Sequence, residues 1–559
     1  MPASVHSNDR AAARAWALPP AAATAIARAW WLPLAAGVVA LACFAWAVAQ
    51  RLPYPHELEW MEGALADHAW RVAHGLPLYC APSPEHVPFL YAPLLFWLGG
   101  LGIAFGLDGI TALRLVSLGC TVATAMLVGH WVRMASGRFL PGFVASGLWF
   151  AGYGWLAWWF DLARNDTLFV FLCAITTYTL RHGGRFSWLW AAGLATLALL
   201  AKQTALMWLP AVGVGALCLD WRLGLRFGAA CVALMAAAVG ALHLGSDGWS
   251  TFWLFEMPQR HGWVGDRKLG FWTEDLLPMT PLVLLALVGC AQQWLLALVG
   301  CAQQWRAGGA ARREALYLAA FGAGGLLASW FSRLHVGGFD NVMMYGFAAA
   351  CVLGPLAAAR LPGRAQWLGL AVLLAQFGWL GERVLARDPA RTLLPSAAHR
   401  RAHDELRAFV QAQPGPVWIP GHGHVSTRAG KGTGAHGQAV FDLLQLLPKL
   451  PDGMFDLAAL VDRSRLQGLS PRGQQAVAAL LDGTAAALRE RRFAAVVIDE
   501  VGTHAFVAVF AQGLAGADGV PGTADDPYAR MPGPVLSEPA AIAPLLGFDV
   551  HAPYALAPR

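Results

Sequence analysis

Charge is what this chain of 559 residues has least of: 13% of it is Asp, Glu, Lys or Arg, against roughly 25% in an ordinary soluble domain. That scarcity excludes a soluble enzyme. Lysine is nearly missing, occurring at Lys202, Lys268, Lys431 and Lys449 only. No basic stripe is interleaved with exposed aromatics, so nucleic acid is excluded as a partner. Cysteines are few and badly placed for cross-linking. Eight of the nine lie inside apolar runs and Cys80 stands alone in a loop, which leaves no disulfide framework and no zinc-ligand spacing. No motif calls for a cofactor, and dependence on a divalent metal stays open.

What the chain has is apolar length. Hydrophobic residues make up 57% of it, 26 of them Trp, and runs of membrane-spanning length recur from residue 30 to residue 383, the pattern of a polytopic helical membrane protein. Expected spans fall near 30–49, 110–132, 139–160, 163–181, 186–201, 203–220, 226–244, 276–304, 314–331, 339–358 and 366–383. The Arg-bearing connectors at Arg133 and Arg138, Arg181 and Arg185, Arg222 and Arg226, Arg306 to Arg313, and Arg360 and Arg364 share one side under the positive-inside rule only if the apolar stretch 89–107 does not cross. Pro88 and Pro93 at its start suit an interfacial or re-entrant helix. The expectation is about eleven spans, with the N-terminus cytoplasmic and the C-terminus outside.

The fold class expected is therefore an all-α polytopic membrane protein with a small extracytoplasmic α/β domain. Its parts are a cytoplasmic tail (1–29), a membrane part (30–383) with a first outer loop at 50–109, and a soluble part (384–559), where PVWIP and AAVVID read as strands among amphipathic helices. The 11-residue unit LLALVGCAQQW repeats at 284–294 and 295–305. That is about three helical turns, so the duplication lengthens a helix without changing its packing face.

Polar residues of chemical interest collect on the outer side. The first outer loop carries Glu57, Glu59 and Glu62, and the last two share a face if that segment is helical. Alone, they are equally readable as a solvated acidic turn. FDLARNDTLF places Asp161, Arg164 and Asp166 at the mouth of an apolar helix, where ionisable groups must be paired or line a polar cavity. Lys202 in LLAKQTAL is either a snorkelling lysine or a point charge for a phosphate. The loop 245–275 adds Arg260 and His261 among aromatics, and WFSRLHVGG adds Arg333, either lipid-phosphate ligands or an interfacial belt. In the C-terminal part, GHGHVSTRAGKGTGAH holds His422, His424, His436 and Lys431 among glycines, either a phosphate or metal site or a flexible loop, and it is read as the loop because the spacing fits no standard ligand set. ADGVPGTADDPY has acidic residues around Gly and Pro but lacks the regular spacing and bidentate Glu of an EF-hand.

Taken in order, the acidic first loop, the Pro-flanked FLYAPLLFWL, RLVS opening the next span, RNDTLF and LLAKQTAL form a set that resembles a GT-C class glycosyltransferase. The likeness is to the family 39 type, which includes protein O-mannosyltransferases and the bacterial lipid A aminoarabinose transferases, and it covers about residues 30–360. Where that family has an Asp-Glu pair, this chain has Met61-Glu62, with Glu59 three residues before Glu62, so both glutamates stay open as the catalytic carboxylate. The resemblance implies a polyprenyl-phosphate-linked sugar donor, a lipid, glycan or protein acceptor, and a reaction on the outer face of the plasma membrane. In those terms Glu59 or Glu62 is the general base and Asp166 a second acid of the site. Arg164, Lys202, Arg260, His261 and Arg333 are candidate cations for the donor phosphate. A transporter or flippase is the competing class, since intramembrane charges also suit a transport path.

Overall fold

The computed structural model describes residues 19–299, 305–450, 456–460, 462–498, 525–538, 542–545 and 553–559. Among them, eight helices are long and apolar enough to cross a membrane, from Pro20–Arg51 to Ala365–Ala386. Three segments expected to span form shorter helices: Phe139–Ala151, Asp166–His182 and Ala205–Leu219, of 13, 17 and 15 residues. The stretch expected as one span at 139–160 breaks at Gly152, and the chain turns through Ala157 and Trp158 at φ 54° and 60°. The stretch 89–107 yields only Leu94–Ala104. Its 11 residues rise roughly 16 Å, too little to cross the hydrocarbon core. The second copy of the 11-residue repeat runs into residues 300–304, which lie outside the described residues.

Met344–Arg360 is the central helix. It is buried almost end to end and packs on Gly109–Ser136, Phe139–Ala151, Thr280–Val299 and Trp305–Leu334. Trp221–Gly245 is the opposite case, apolar and nearly all exposed, which in a bilayer is a lipid-facing helix. Small residues allow close crossings: a Cβ on Gly147 would stand 2.4 Å from the Cα of Gly37, the arrangement by which membrane helices gain packing without a hydrophobic driving force.

The C-terminal part builds a four-stranded sheet in the order β1-β2-β4-β3, from β1 (Val417–Trp418), β2 (Ala495–Ile498), β3 (Tyr528–Arg530) and β4 (Tyr554–Pro558). β1 and β2 run parallel and the other pairs antiparallel. Its side chains alternate between two cores, as strand geometry requires. Val417, Ala495 and Val497 pack with Leu406 and Val410 of helix Ala397–Ala412. Trp418, Val496 and Ile498 join a core containing Leu480 and Leu488 of helix Pro471–Arg489, which is continuous with that of the membrane helices. The sheet is thus anchored to the bundle. The acidic Gly-Pro stretch considered above falls mostly in 499–524, outside the described residues.

Candidate active site

Arg114 organises the loop at 50–109. It sits on helix Gly109–Ser136 with no exposure, and all five of its guanidinium donors are used. Nε donates to Glu62 Oε1 at 2.9 Å and Nη2 to Glu62 Oε2 at 2.6 Å, and the rest go to the carbonyls of Arg51, Tyr54 and His56. A rigid guanidinium fork suits this bidentate pairing. Three residues on, Ser117 donates to the Arg164 carbonyl at 2.8 Å. The RLVS segment therefore wires the acidic loop to the RND segment.

A second corner forms around Asp166, the first residue of helix Asp166–His182. Its carboxylate accepts from Lys202 Nζ at 2.6 Å, Tyr345 Oη at 2.9 Å and Trp159 Nε1 at 3.0 Å, and it gains from the positive end of its helix. Lys202 breaks the helical run between Ala201 and Ala205 by adopting an extended backbone, φ −159° and ψ 132°. Asn165 ties the two helix ends together by donating to the Ala201 carbonyl at 3.0 Å. Gln203 reaches the carbonyl of Leu90 at 2.6 Å, which carries Tyr91 into the same site.

The three loop carboxylates have different partners. Glu62 accepts not only from Arg114 but from the N–H groups of Leu58 and Ala163, each at 2.7 Å. Burial would raise its pKa, but Arg114 and these donors outweigh burial and hold it below the usual range. Glu59 is equally buried, yet only its Oε2 is engaged, by Met61 N–H at 3.2 Å and Arg164 at 3.4 Å. Its Oε1 has no hydrogen-bond partner. Burial, only partly opposed by Arg164, raises its pKa to about 7. Arg164 also donates to Tyr91 Oη at 3.1 Å and lies over the Tyr91 and Trp159 rings. Glu57 points away from this group, its Oε2 3.0 Å from His422 Nδ1.

Of the residues named from sequence, the structure thus gathers Glu59, Arg164, Asp166 and Lys202 around Tyr91, Trp159 and Tyr345, with Glu62 behind them as an engaged partner of Arg114. Among the described residues the other three cations have no hydrogen bond or ion pair with this group. Arg333 forms a bidentate pair with Asp275 at 2.8 and 2.9 Å, and Arg260 is exposed. His261 is stacked on His335 and lies 3.7 Å from Asp442. Burial lowers the His261 pKa to about 4 and raises that of Asp442 to about 8. At neutral pH the imidazole carries no charge, because desolvation disfavours the charged form of each partner. The His-Gly stretch expected as a flexible loop is instead packed: His422, His424 and His436 are all buried, and His424 reaches Asp108 at 2.9 Å. Tyr345 and Asp442 were missed from sequence because neither lies in a motif, whereas the lone Arg114 of an apolar run was a usable signal.

No known family profile matches this chain, and no curated protein does either. Solved structures do. The crystal structure of ArnT from Cupriavidus metallidurans bound to undecaprenyl phosphate matches over 93% of this chain and 96% of its own, with a TM-score of 0.52 and 13% identity. Its apo form matches over 84% and 93%, with a TM-score of 0.50 and 14% identity. The chain has the ArnT fold. That agrees with the GT-C resemblance carried by the motif order, and the match with ArnT reaches through the C-terminal part as well as the helices.

Proposed function

We propose that this protein is a membrane glycosyltransferase that moves a sugar from a polyprenyl-phosphate donor to an acceptor hydroxyl by single displacement with inversion. The observation that carries the reading is the group of buried Glu59, Arg164 and Asp166 with half-buried Lys202, in which one carboxylate oxygen of Glu59 has no partner. A base poised near neutrality is what removal of a hydroxyl proton needs. The acceptor oxygen bonds to the anomeric carbon as the carbon–phosphate-oxygen bond breaks, and Glu59 takes the proton. The departing phosphate ester leaves with the bonding pair, and Arg164, paired with Glu59, and Lys202, paired with Asp166, are the cations that stabilise its charge. Asp166 holds Lys202 and Tyr345 in position. Glu62 is a structural partner of Arg114 in this scheme, and Arg260, His261 and Arg333 lie outside the phosphate site. ArnT was solved with undecaprenyl phosphate bound, the same carrier class as the proposed donor. The Arg-bearing connectors orient the site to the outer face of the plasma membrane, with the C-terminal part outside.

The test is purified protein in proteoliposomes with radiolabelled polyprenyl-phosphate sugars and cell-envelope acceptors. Label passing to a lipid, glycan or protein, and lost in Glu59→Gln, supports the reading. Movement of the lipid across the bilayer with no transfer overturns it in favour of a flippase.

A further inference from the structure

One cluster of ligating side chains has no part in this chemistry. Glu57 from the first outer loop meets His403, on helix Ala397–Ala412, and His422, in the connection after β1. Each is at most 4% exposed, and one ligand atom from each lies within 4.8 Å of the others. The geometry points to a divalent-metal clamp of the Zn2+ class that joins the first outer loop to the C-terminal part, a site that does not depend on the sugar-transfer reading.

The surroundings are those a metal site requires. His403 Nδ1 donates to the His399 carbonyl at 2.9 Å, which fixes the tautomer and leaves Nε2 with its lone pair. That Nε2 is buried with no hydrogen-bond partner, a costly state unless something fills it. The second oxygen of Glu57 is held by the Gly63 N–H at 3.0 Å, as outer-shell hydrogen bonds orient metal ligands. Two imidazoles and one carboxylate suit Zn2+ better than Mg2+ or Ca2+ and leave a fourth position open. With bonds of about 2.0–2.2 Å the ligand atoms draw in by roughly an ångström, a movement within side-chain reach. A cleft lined by His56, Glu57, His403, Arg407 and Arg428 opens beside the ligands. Its two cations are balanced by Asp404, 3.9 Å from Arg407, and Asp108, 3.3 Å from Arg428.

The test uses the full-length protein in detergent, stripped with EDTA and dialysed against Zn2+ or Co2+. Elemental analysis is expected to find about one ion per chain, and Co2+ to give the visible absorption of a four-coordinate nitrogen–oxygen site. The ion is expected to raise the Tm by several degrees and to be lost in His403→Ala and Glu57→Gln. Gel filtration reports whether each variant is folded, and the Co2+ spectrum of the wild-type chain decides the matter if they are not. Wild-type protein that binds no stoichiometric ion, or folded variants that keep it, overturns the clamp. These readouts need no sugar donor, so failure of transfer with metal bound counts against the sugar-transfer reading alone.

Discussion

Glu59 and Glu62 are three residues apart and both buried, yet their hydrogen bonding separates them. Replacing Glu62 by Gln leaves the Arg114 guanidinium without its counter-charge inside the protein, a change that costs about 3–5 kcal/mol. Glu62→Gln is therefore expected to lower Tm and expression, and a Tm unchanged from wild type would remove Arg114–Glu62 as the post of the loop. Glu59→Gln keeps an isosteric group beside Arg164 and is expected to leave Tm nearly unchanged while cutting turnover at least 100-fold, within the usual range for losing a general base. Lys202→Ala is expected to weaken donor binding more than tenfold. Titration with the phosphorylated lipid alone checks this, and unaltered affinity would return the phosphate to other cations. From sequence the two glutamates were equivalent, because what distinguishes them is Arg114, which lies 52 positions from Glu62 along the chain.

At the level of elements, the join between the loop at 50–109 and the C-terminal part is a backbone contact. A Cβ on Gly63, the second residue of helix Glu62–Ala73, would stand 2.3 Å from the Gly423 carbonyl oxygen and 2.2 Å from Glu57 Oε1. Gly63→Ala is expected to push these parts from each other. It should make the chain open to limited proteolysis between residues 387 and 425, which the wild type resists; equal protection would show the join to be compliant. The corner at Lys202 works differently. It is an interruption of helix rather than a close approach, legible in sequence as a lone lysine between apolar runs. Helix type was read well from apolar length, but ends were not: the helix stops before Gly152 and the chain turns at Ala157 and Trp158, where the Trp158 carbonyl accepts from Arg51 Nη2 at 3.2 Å, a long-range contact with no local signal.

For the whole molecule, pH dependence is the readable property. Asp442 titrates at about 8 in the folded chain, because it is buried, against 3.8 ordinarily. Between those values the folded state holds a proton that the unfolded state has released, so stability falls as pH rises. His261 acts in the opposite sense between about 4 and 6.5, where the unfolded state binds the extra proton and stability rises with pH. Glu59, raised to about 7 by burial, acts in the same sense as Asp442 up to that pH, so the Asp442 effect is cleanest from about pH 7 to 8. Asp442→Asn is expected to flatten the fall of Tm over that interval, and a wild-type and variant pair with parallel profiles would show that Asp442 is ionised in the folded state.

The amino-acid sequence by itself determined that this chain lives in a membrane, that its acidic and basic residues of chemical interest collect in a few connectors between apolar runs, and in what order the GT-C-like motifs occur. Those properties are local: hydropathy acts over one span, charge bias over one connector, and a motif over a few residues. Only the tertiary structure decided that Glu59 rather than Glu62 keeps an uncommitted oxygen, that Tyr345 joins Asp166, and that histidines in a glycine-rich stretch are buried against the first loop. Each of those depends on which distant donor reaches a buried acceptor. A buried polar group must be matched by something, and only the packed chain shows by what.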